Sequence, residues 1–257
     1  RRIYQGRAER PVAIICNSPQ YVAWARVLFP NTPILFICHG MYRVDRLFQP
    51  RMTDRRPLRI RLMSRFENTV RDGQETFAYR MAHRVVVLSN GMREQIVKYA
   101  RVSPRKIVQI PNGINCTVWE NRLRDKHAEQ TGLKIGYVGR LTPIKNVEYL
   151  IKALAKMNKE LKWQCRIVGD GPEKPNLYKM VRENGLTNRI TLEGWCKDTR
   201  EIYNWMDVFV LPSRWEGCPV SLLEAMASGL PCVGLKYDGR KFMADLSEMI
   251  IPGKNGF

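Results

Sequence analysis

Short apolar runs that alternate with helical patterns constrain the fold of this chain more than any other feature of its sequence. In the first half, four runs have the length and composition of buried strands: Val12–Cys16, Ile34–Cys38, Val85–Leu88 and Ile107–Ile110. The segments between them have the apolar spacing of helices: Gln20–Leu28, Leu58–Met81 and Gly91–Tyr99. Strands without a polar face are typical of parallel sheets that helices cover on both sides. The first half therefore predicts an α/β domain.

The same alternation returns after a polar, broken segment, residues 112–131, which is predicted to be a linker. The strands predicted beyond it are Lys134–Val138, Gln164–Val168, Arg189–Leu192, Val208–Leu211 and Pro231–Leu235. The helices predicted there are Asn146–Met157, Glu173–Asn184, Thr199–Trp205 and Val220–Ala227. We therefore predict two Rossmann-like α/β domains, residues 1–111 and 132–257, that face a cleft. In such sheets ligands bind beyond the carboxyl ends of the strands.

A formal net charge of +19 indicates an anionic partner: a nucleic acid, an anionic membrane or a phosphate-bearing substrate. Nine arginines lie in the stretch Arg43–Arg71, where Leu58, Leu62, Phe66 and Val70 recur four residues apart. An apolar stripe flanked by arginines can lie on an anionic bilayer, but an ordinary solvated helix packed on its own domain has the same pattern. Both interpretations stay open. We expect no nucleic-acid partner, because the sequence has no recognisable reading module.

Two further patterns bear on location and metals. No apolar run is long enough to span a bilayer, and the sequence starts at Arg1 without an apolar targeting segment, which predicts a cytoplasmic protein. None of the seven cysteines forms a C-x-x-C pair, and the sequence has no D-x-D pair. We therefore expect no metal site and no cofactor.

The loop from Gly139 to Asn146 is the first candidate site. A predicted strand ends at Gly139 and a helix begins near Asn146, so Arg140 and Lys145 lie in one loop above the sheet. Two cations beside a helix N-terminus suit a diphosphate, because the helix N–H groups and dipole add to their charge. The spacing is not that of the P-loop G-x-x-x-x-G-K-[ST]. Basic loop residues are common, so this segment is weak support on its own.

Two segments follow at later strand ends. Gly169 and Gly171 allow the backbone to approach a flat ligand closely, although a plain tight turn has the same sequence. In residues 211–231, Glu216 lies in the loop after a strand and Glu224 lies in the next helix, whose free N–H groups can face a phosphate. Glu224 can accept two hydrogen bonds from a ribose diol. Its apolar neighbours mean that this carboxylate needs partners.

In this order, the segments resemble retaining glycosyltransferases of family 4 (group 1), which have the GT-B fold. The resemblance lies in Arg140 and Lys145, in Gly-Asp-Gly-Pro at 169–172, and in the paired glutamates followed by Ala-Met-Ala-Ser-Gly-Leu-Pro. Residues 33–40 resemble the family's strand that leads to an active-site histidine, here His39, and residues 82–89 and 106–114 match the end of its first domain. Members usually open with an earlier strand and glycine-rich loop and continue through further helices, so the first domain is expected to be incomplete.

The resemblance implies a role for each matched residue. His39 and Glu216 would be catalytic, near the transferred sugar, while Arg140 and Lys145 would hold the donor diphosphate. The donor-binding residues that it implies are Gly139, Arg140, Lys145, Gly169, Gly171, Trp195, Gly217, Cys218, Pro219, Val220 and Glu224. Residues 1–111 would form the acceptor side and 132–257 the donor side.

The function implied is retaining transfer of a sugar from a nucleoside-diphosphate sugar, expected to be a UDP-sugar, without a metal. The acceptor would be a glycan or a lipid-linked molecule in the biosynthesis of lipopolysaccharide, another cell-envelope polysaccharide or a glycolipid. The enzyme would lie in the cytoplasm, peripheral on the inner face of the membrane through Arg43–Arg71. The alternative is a non-catalytic nucleotide-sugar-binding or scaffold protein of the same fold.

Overall fold

The computed structural model describes residues 11–47, 58–119, 132–236, 246 and 248–257. Contacts between residues divide the described chain into two units, with the change from one to the other at Pro111 and Asn112. Each unit has one sheet in which every strand pair is parallel. The α/β class with parallel sheets is therefore confirmed. No helix in the described ranges is both long enough and apolar enough to cross a bilayer.

The first unit has a four-stranded sheet in the order β1-β2-β3-β4. Its strands are β1 (Ile14–Cys16), β2 (Ile34–Cys38), β3 (Arg84–Val87) and β4 (Ile107–Gln109). Its helices are α1 (Pro19–Leu28), α2 (Tyr42–Leu47), α3 (Leu58–Met81) and α4 (Asn90–Ala100), and a 3-10 turn covers Pro104–Lys106. The bounds agree with the predicted ones to within two residues, and α2 is the helix that the sequence analysis missed. It is only six residues long, too short to show a clear apolar period.

Helix α4 shows how local sequence and packing agree in this unit. Ser89 precedes it in an extended conformation, and its side chain accepts a hydrogen bond from the Met92 N–H at 3.4 Å. Met92, Ile96 and Ala100 recur four residues apart and are buried. One face of the helix therefore packs on the sheet, as the apolar spacing indicates.

The apolar stripe of α3 is exposed in the structure. Leu62 is 54% exposed, Phe66 71% and Val70 40%, so the interpretation in which this stripe packs on its own domain does not hold for these residues. The same helix is buried further along, at Ala78 and Tyr79. Leu58 is the first residue of α3, and three of the arginines in the predicted stretch, Arg51, Arg55 and Arg56, lie outside the described residues.

The second unit has a five-stranded sheet in the order β7-β6-β5-β8-β9. Its strands are β5 (Leu133–Val138), β6 (Trp163–Val168), β7 (Ile190–Gly194), β8 (Val208–Leu211) and β9 (Cys232–Gly234). Its helices are α5 (Cys116–Trp119), α6 (Val147–Leu154), α7 (Lys174–Glu183), α8 (Arg200–Trp205) and α9 (Val220–Ala227), and a 3-10 turn covers Pro143–Lys145. The chain starts at the centre with β5, moves outward to β7, and then returns to build β8 and β9 on the other side.

The first part of the predicted linker packs on the second unit. Residues 116–119 form α5, and the Trp119 ring meets the buried Tyr203 ring edge-on with 5.5 Å between centroids. The Asn112 side-chain N–H donates to the Cys218 carbonyl at 2.8 Å. The polar composition of this segment gave no sign of these contacts. Each depends on a partner about a hundred residues away in the chain. Residues 120–131 lie outside the described ranges.

Candidate functional site

The reversal of strand order between β5 and β8 defines the place where a ligand is expected. The chain leaves β5 toward β6 and leaves β8 toward β9, so the two connections diverge. Ligands in open α/β sheets bind at such a switch point, outside the carboxyl ends of the strands. The loop after β5 contains Arg140 and Lys145, and the loop after β8 contains Glu216. The topology thus brings two segments that the sequence analysis treated separately to one crevice.

Lys145 and Glu216 are in direct contact across this crevice. The Lys145 Nζ lies 2.7 Å from Glu216 Oε1, and the two side chains are only 18% and 8% exposed. An ammonium group has three donors, so this bond leaves Lys145 able to donate to a ligand as well. A pair held mostly out of water is costly to break by removing one partner, because the other charge is then left uncompensated.

Asn146 fastens the two loops to each other. It adopts a left-handed conformation (φ 55°, ψ 34°) immediately before α6, and it is buried. Its side-chain N–H donates to the Pro212 carbonyl at 3.0 Å, and its Oδ1 accepts from Arg214 Nε at 3.2 Å. The Arg214 backbone N–H donates to the Ile144 carbonyl at 2.8 Å. Sequence reasoning missed Asn146, although asparagine before a helix is a residue that tolerates this conformation.

The two glycines after β6 are required by the neighbouring loop. A Cβ on Gly169 would lie 1.9 Å from the Gly139 carbonyl oxygen, and one on Gly171 would lie 2.3 Å from the Leu141 carbonyl oxygen. Both have positive φ, 142° and 154°. The Leu141 N–H donates to the Asp170 carbonyl at 2.8 Å. The close approach that the glycines predicted is therefore made by protein backbone, and their contact with a ligand stays a prediction.

Glu224 has a hydrogen-bond partner, as expected for a carboxylate with apolar neighbours. The Tyr203 hydroxyl on α8 donates to Glu224 Oε2 at 2.7 Å, and Oε1 has no hydrogen-bond partner among the described residues. The Ser221 carbonyl is also within reach of this hydroxyl at 3.1 Å. Burial raises the pKa of the half-buried Glu224 carboxyl, and the bond from Tyr203 opposes that rise. No pattern in the sequence links these two residues.

The start of α9 offers unpaired backbone donors. Pro219 precedes the helix, and no side chain caps it. Within the described ranges, the N–H groups of Val220 and Ser221 make no hydrogen bond, whereas Leu222 and Leu223 bond back to the Pro219 carbonyl. Such a helix end attracts anions through its N–H groups and its dipole. Glu216 lies four residues before this helix, and its contact with Lys145 brings a cation to the loop that leads into these donors.

The remaining predicted site residues are divided between the two units. Arg140 is exposed at the end of β5 and makes no ion pair with any described residue, and Trp195, after β7, is 74% exposed. Gly217 and the buried Cys218 form the turn into α9. His39 is exposed at the carboxyl end of β2 in the first unit. The described residues contain no group of three or more His, Cys, Asp or Glu side chains that could hold a metal.

Two family models match almost all of this sequence. The model described as glycosyl transferases group 1 matches residues 132–257, which include the Lys145–Glu216 pair and Glu224. The model described as glycosyltransferase family 4 matches residues 2–118, which include His39. The chain belongs to glycosyltransferase family 4.

Curated relatives of this family 4 member include enzymes of envelope glycan synthesis. It is 36% identical over 176 residues to UDP-Gal:alpha-D-GlcNAc-diphosphoundecaprenol alpha-1,3-galactosyltransferase of Escherichia coli, across 64% of this chain and 46% of that protein. It is 31% identical over 178 residues to lipopolysaccharide 1,6-galactosyltransferase of Salmonella typhimurium, across 66% of this chain and 46% of that protein. The family 4 member thus spans about half the length of the curated relatives it matches.

Solved structures confirm the fold class. Anabaena HepE in complex with UDP and glucose aligns with a TM-score of 0.73 at 20% identity, covering 96% of this chain and 63% of that one. Sucrose-phosphate synthase from Thermosynechococcus elongatus aligns with a TM-score of 0.74 at 22% identity, covering 96% of this chain and 60% of that one. The family 4 member therefore has the GT-B fold that the sequence resemblance implied.

Proposed function

We propose that this chain is the nucleotide-sugar-binding core of a glycosyltransferase. The enzyme transfers a sugar from a nucleoside-diphosphate sugar to a glycan or a lipid-linked acceptor, with retention of the anomeric configuration. Residues 132–257 form the donor side and residues 1–111 the acceptor side. The name of the Escherichia coli relative includes UDP-Gal and a GlcNAc linked to diphosphoundecaprenol, which supports a UDP-sugar donor and an acceptor of the cell envelope.

The observation that carries this proposal is the Lys145–Glu216 ion pair beside the uncapped start of α9. A donor diphosphate has negative charge that needs cations and N–H groups, and the Lys145–Glu216 contact brings a cation to the loop that leads into α9. A carboxylate held at the same point can contact the hydroxyls of the attached sugar. The cation suits the diphosphate and the carboxylate suits the sugar hydroxyls, so the pair fits a sugar esterified to a diphosphate.

The other predicted residues complete the donor site in this proposal. Arg140 joins Lys145 on the diphosphate, and its freedom from described acidic partners leaves its guanidinium available. Glu224 binds the ribose hydroxyls through Oε1 while Tyr203 holds Oε2. Trp195 and the backbone at Gly169 and Gly171 frame the base.

Glu216 and His39 act on the sugar in the reaction itself. Positive charge develops on the sugar ring as the bond to phosphate breaks, and the Glu216 carboxylate stabilises that charge. His39 contacts the sugar and the diphosphate from the first domain. The leaving phosphate helps to remove the proton of the acceptor hydroxyl on the same face of the sugar, which gives retention.

Donor binding in this proposal needs no metal and no cofactor. Two cationic side chains and a helix N-terminus balance the diphosphate charge in place of a divalent ion. The exposed stripe Leu62, Phe66 and Val70, set among arginines of Arg43–Arg71, supports peripheral binding to an anionic membrane on its cytoplasmic face.

A panel of donors tests the proposal. Thermal unfolding of the protein is measured with UDP-, GDP- and ADP-sugars, and release of free nucleotide is then followed with the best binder and an undecaprenyl-diphosphate sugar. Stabilisation by one nucleotide class with turnover supports the enzyme. Stabilisation without turnover in a full-length protein favours the non-catalytic alternative, and no stabilisation by any nucleotide sugar refutes both.

A further inference from the structure

The loop between β2 and α2 contains His39 and is tied down on both sides of that residue. Cys38 precedes His39 at the end of β2, and Gly40 and Met41 follow it before α2 begins at Tyr42. His39 and Gly40 are exposed, whereas Cys38 and Met41 are buried. A short loop with one exposed side chain between two buried ones has little freedom, provided that its ends are fixed.

Glu75 on α3 fixes the far end of this loop. Its Oε1 accepts the Tyr42 backbone N–H at 3.1 Å and the Tyr79 hydroxyl at 3.0 Å. Glu75 is only 4% exposed, so its carboxylate is withdrawn from water at a cost that these bonds offset. Tyr42 is the first residue of α2, where a carboxylate also interacts favourably with the helix dipole.

Tyr79 extends the same network to the near end of the loop. Its hydroxyl oxygen lies 3.2 Å from Cys38 Sγ, and that sulfur lies 3.3 Å from the Gly40 carbonyl oxygen. Tyr79 is buried and gives its proton to Glu75, so the Cys38 thiol is the donor toward the tyrosine oxygen or the Gly40 carbonyl. Burial raises the pKa of Cys38 to about 12, which keeps that proton on the sulfur.

We propose that Glu75 is a positioning residue for His39, acting through hydrogen bonds that hold the residues one before, one after and three after it. The inference rests on the proposed function, in which His39 contacts the donor sugar and diphosphate. Glu75 lies on α3, outside the loop, and is buried, so it acts on the position of the imidazole through these bonds. A reacting group displaced by about 1 Å can cost on the order of 100-fold in rate.

A second tie between the same two helices provides a matched control. Arg46 of α2 pairs with Asp72 of α3, one turn before Glu75 on its helix. This bond anchors the later part of α2 and does not touch the loop that contains His39. Asp72→Asn therefore weakens the packing of α2 on α3 without removing a hydrogen bond beside His39.

The His39 imidazole signal in the NMR spectrum of the full chain tests the inference without any substrate. The sequence has three histidines, His39, His83 and His127, so His39→Gln assigns the signal and His83 reports folding of the first unit. Glu75→Ala is expected to shift and broaden the His39 signal. Glu75→Gln, whose amide oxygen can accept both bonds, is expected to keep it in place, as is Asp72→Asn. Tyr79→Phe gives a smaller shift and replaces Glu75→Ala if that variant does not fold.

An unmoved His39 signal in a folded Glu75→Ala or Tyr79→Phe variant overturns the inference, and so does a Glu75→Gln signal displaced as far as that of alanine. In a full-length enzyme, Glu75→Ala should lower kcat by about 10- to 100-fold with little change in donor KM, and glutamine should restore most of it. If the signal moves as expected while His39→Gln leaves turnover intact, the proposed role of His39 fails and the positioning by Glu75 stands.

Discussion

The Lys145 ammonium lies 2.7 Å from the Glu216 carboxylate, although 71 positions separate the two residues in the chain. The sequence resemblance implied separate tasks for them, one on the diphosphate and one on the sugar. Their contact means that the Lys145 ammonium is already paired with Glu216 before a donor diphosphate binds. A bound diphosphate must therefore share the ammonium with Glu216 or displace that carboxylate, and the affinity for nucleotide includes this competition.

Glu216→Gln should strengthen the binding of free nucleoside diphosphate while turnover falls. The variant leaves the Lys145 charge without its partner, so the phosphate gains what the carboxylate held, about 1 kcal/mol or roughly fivefold in Kd. Titration calorimetry measures the affinity, and release of nucleotide measures turnover. Weaker nucleotide binding in this variant would mean that Glu216 contacts the nucleotide directly and that the roles of the two glutamates are misassigned.

Glu224→Gln should weaken both the free nucleotide and the nucleotide sugar by about 1–3 kcal/mol, because a ribose hydroxyl loses a charged acceptor. The same calorimetry measures both affinities. Glu216→Gln is the matched variant, for which the affinity for free nucleotide is expected to rise. Tyr203→Phe should reproduce part of the loss, since Tyr203 fixes the orientation of that carboxylate. If Glu224→Gln and Tyr203→Phe both bind nucleotide with full affinity, Glu224 is not part of the donor site.

Glu224 should also lower the free energy of unfolding as pH rises. Below its ordinary pKa of 4.5 the carboxyl is protonated in both states, and burial raises the pKa in the folded state. As pH rises, Glu224 ionises first in the unfolded chain. The free energy of unfolding therefore falls until the pH passes the raised pKa of the folded state. At pH 7 Glu224→Gln should therefore be the more stable by less than about 1 kcal/mol, since the group is only half-buried. Urea unfolding at pH 4 and pH 7 measures the difference, which should close at pH 4.

Donor binding should survive removal of divalent ions. Lys145, Arg140 and the start of α9 are expected to balance the diphosphate charge, so EDTA should change the Kd for nucleotide by less than about twofold. Calorimetry in EDTA, with a magnesium add-back as control, makes the comparison. Binding that is lost in EDTA and returns with magnesium would replace this account of the site.

The exposed stripe of α3 should bind anionic vesicles. The protein is expected to pellet with phosphatidylglycerol vesicles and not with phosphatidylcholine vesicles, and salt should release it because the attraction decays over about 8 Å at physiological ionic strength. Phe66→Ser should weaken the binding. Leu161→Ser, an exposed leucine of the second unit, serves as the control. Equal pelleting with both lipids, or with neither, would return the stripe to an ordinary solvated surface.

Apolar periodicity was enough to place the described strands and most of the helices, because burial on a parallel sheet imposes it directly on the sequence. The bounds of β2, α3, β8 and α9 agree with those of the structure residue for residue. Helix α2 was missed because it is too short to show a period, and α5 was missed because Trp119, which packs on Tyr203, stands in a polar segment.

The partners within the site were beyond reach of sequence patterns. Tyr203 with Glu224, Asn146 with Pro212 and Glu75 with Tyr42 join residues 21, 66 and 33 positions apart. Each pair forms because the fold brings two elements together. The position of either residue in the sequence does not identify its partner. A pattern could identify which side chains needed partners, as it did for Glu224, but not which residues would supply them.

The backbone packing at Gly169 and Gly171 sets a limit on how this edge can be altered. Alanine at either position would collide with the carbonyl of the adjacent loop, and Gly169 also donates its N–H to the Gly194 carbonyl at 2.7 Å. An alanine scan would therefore score both glycines as essential to nucleotide recognition even if neither touches the nucleotide. Attempts to redirect donor preference are better aimed at Trp195, whose exposed side chain follows β7, than at Asp170, whose Oδ1 accepts the Gly171 backbone N–H at 2.8 Å.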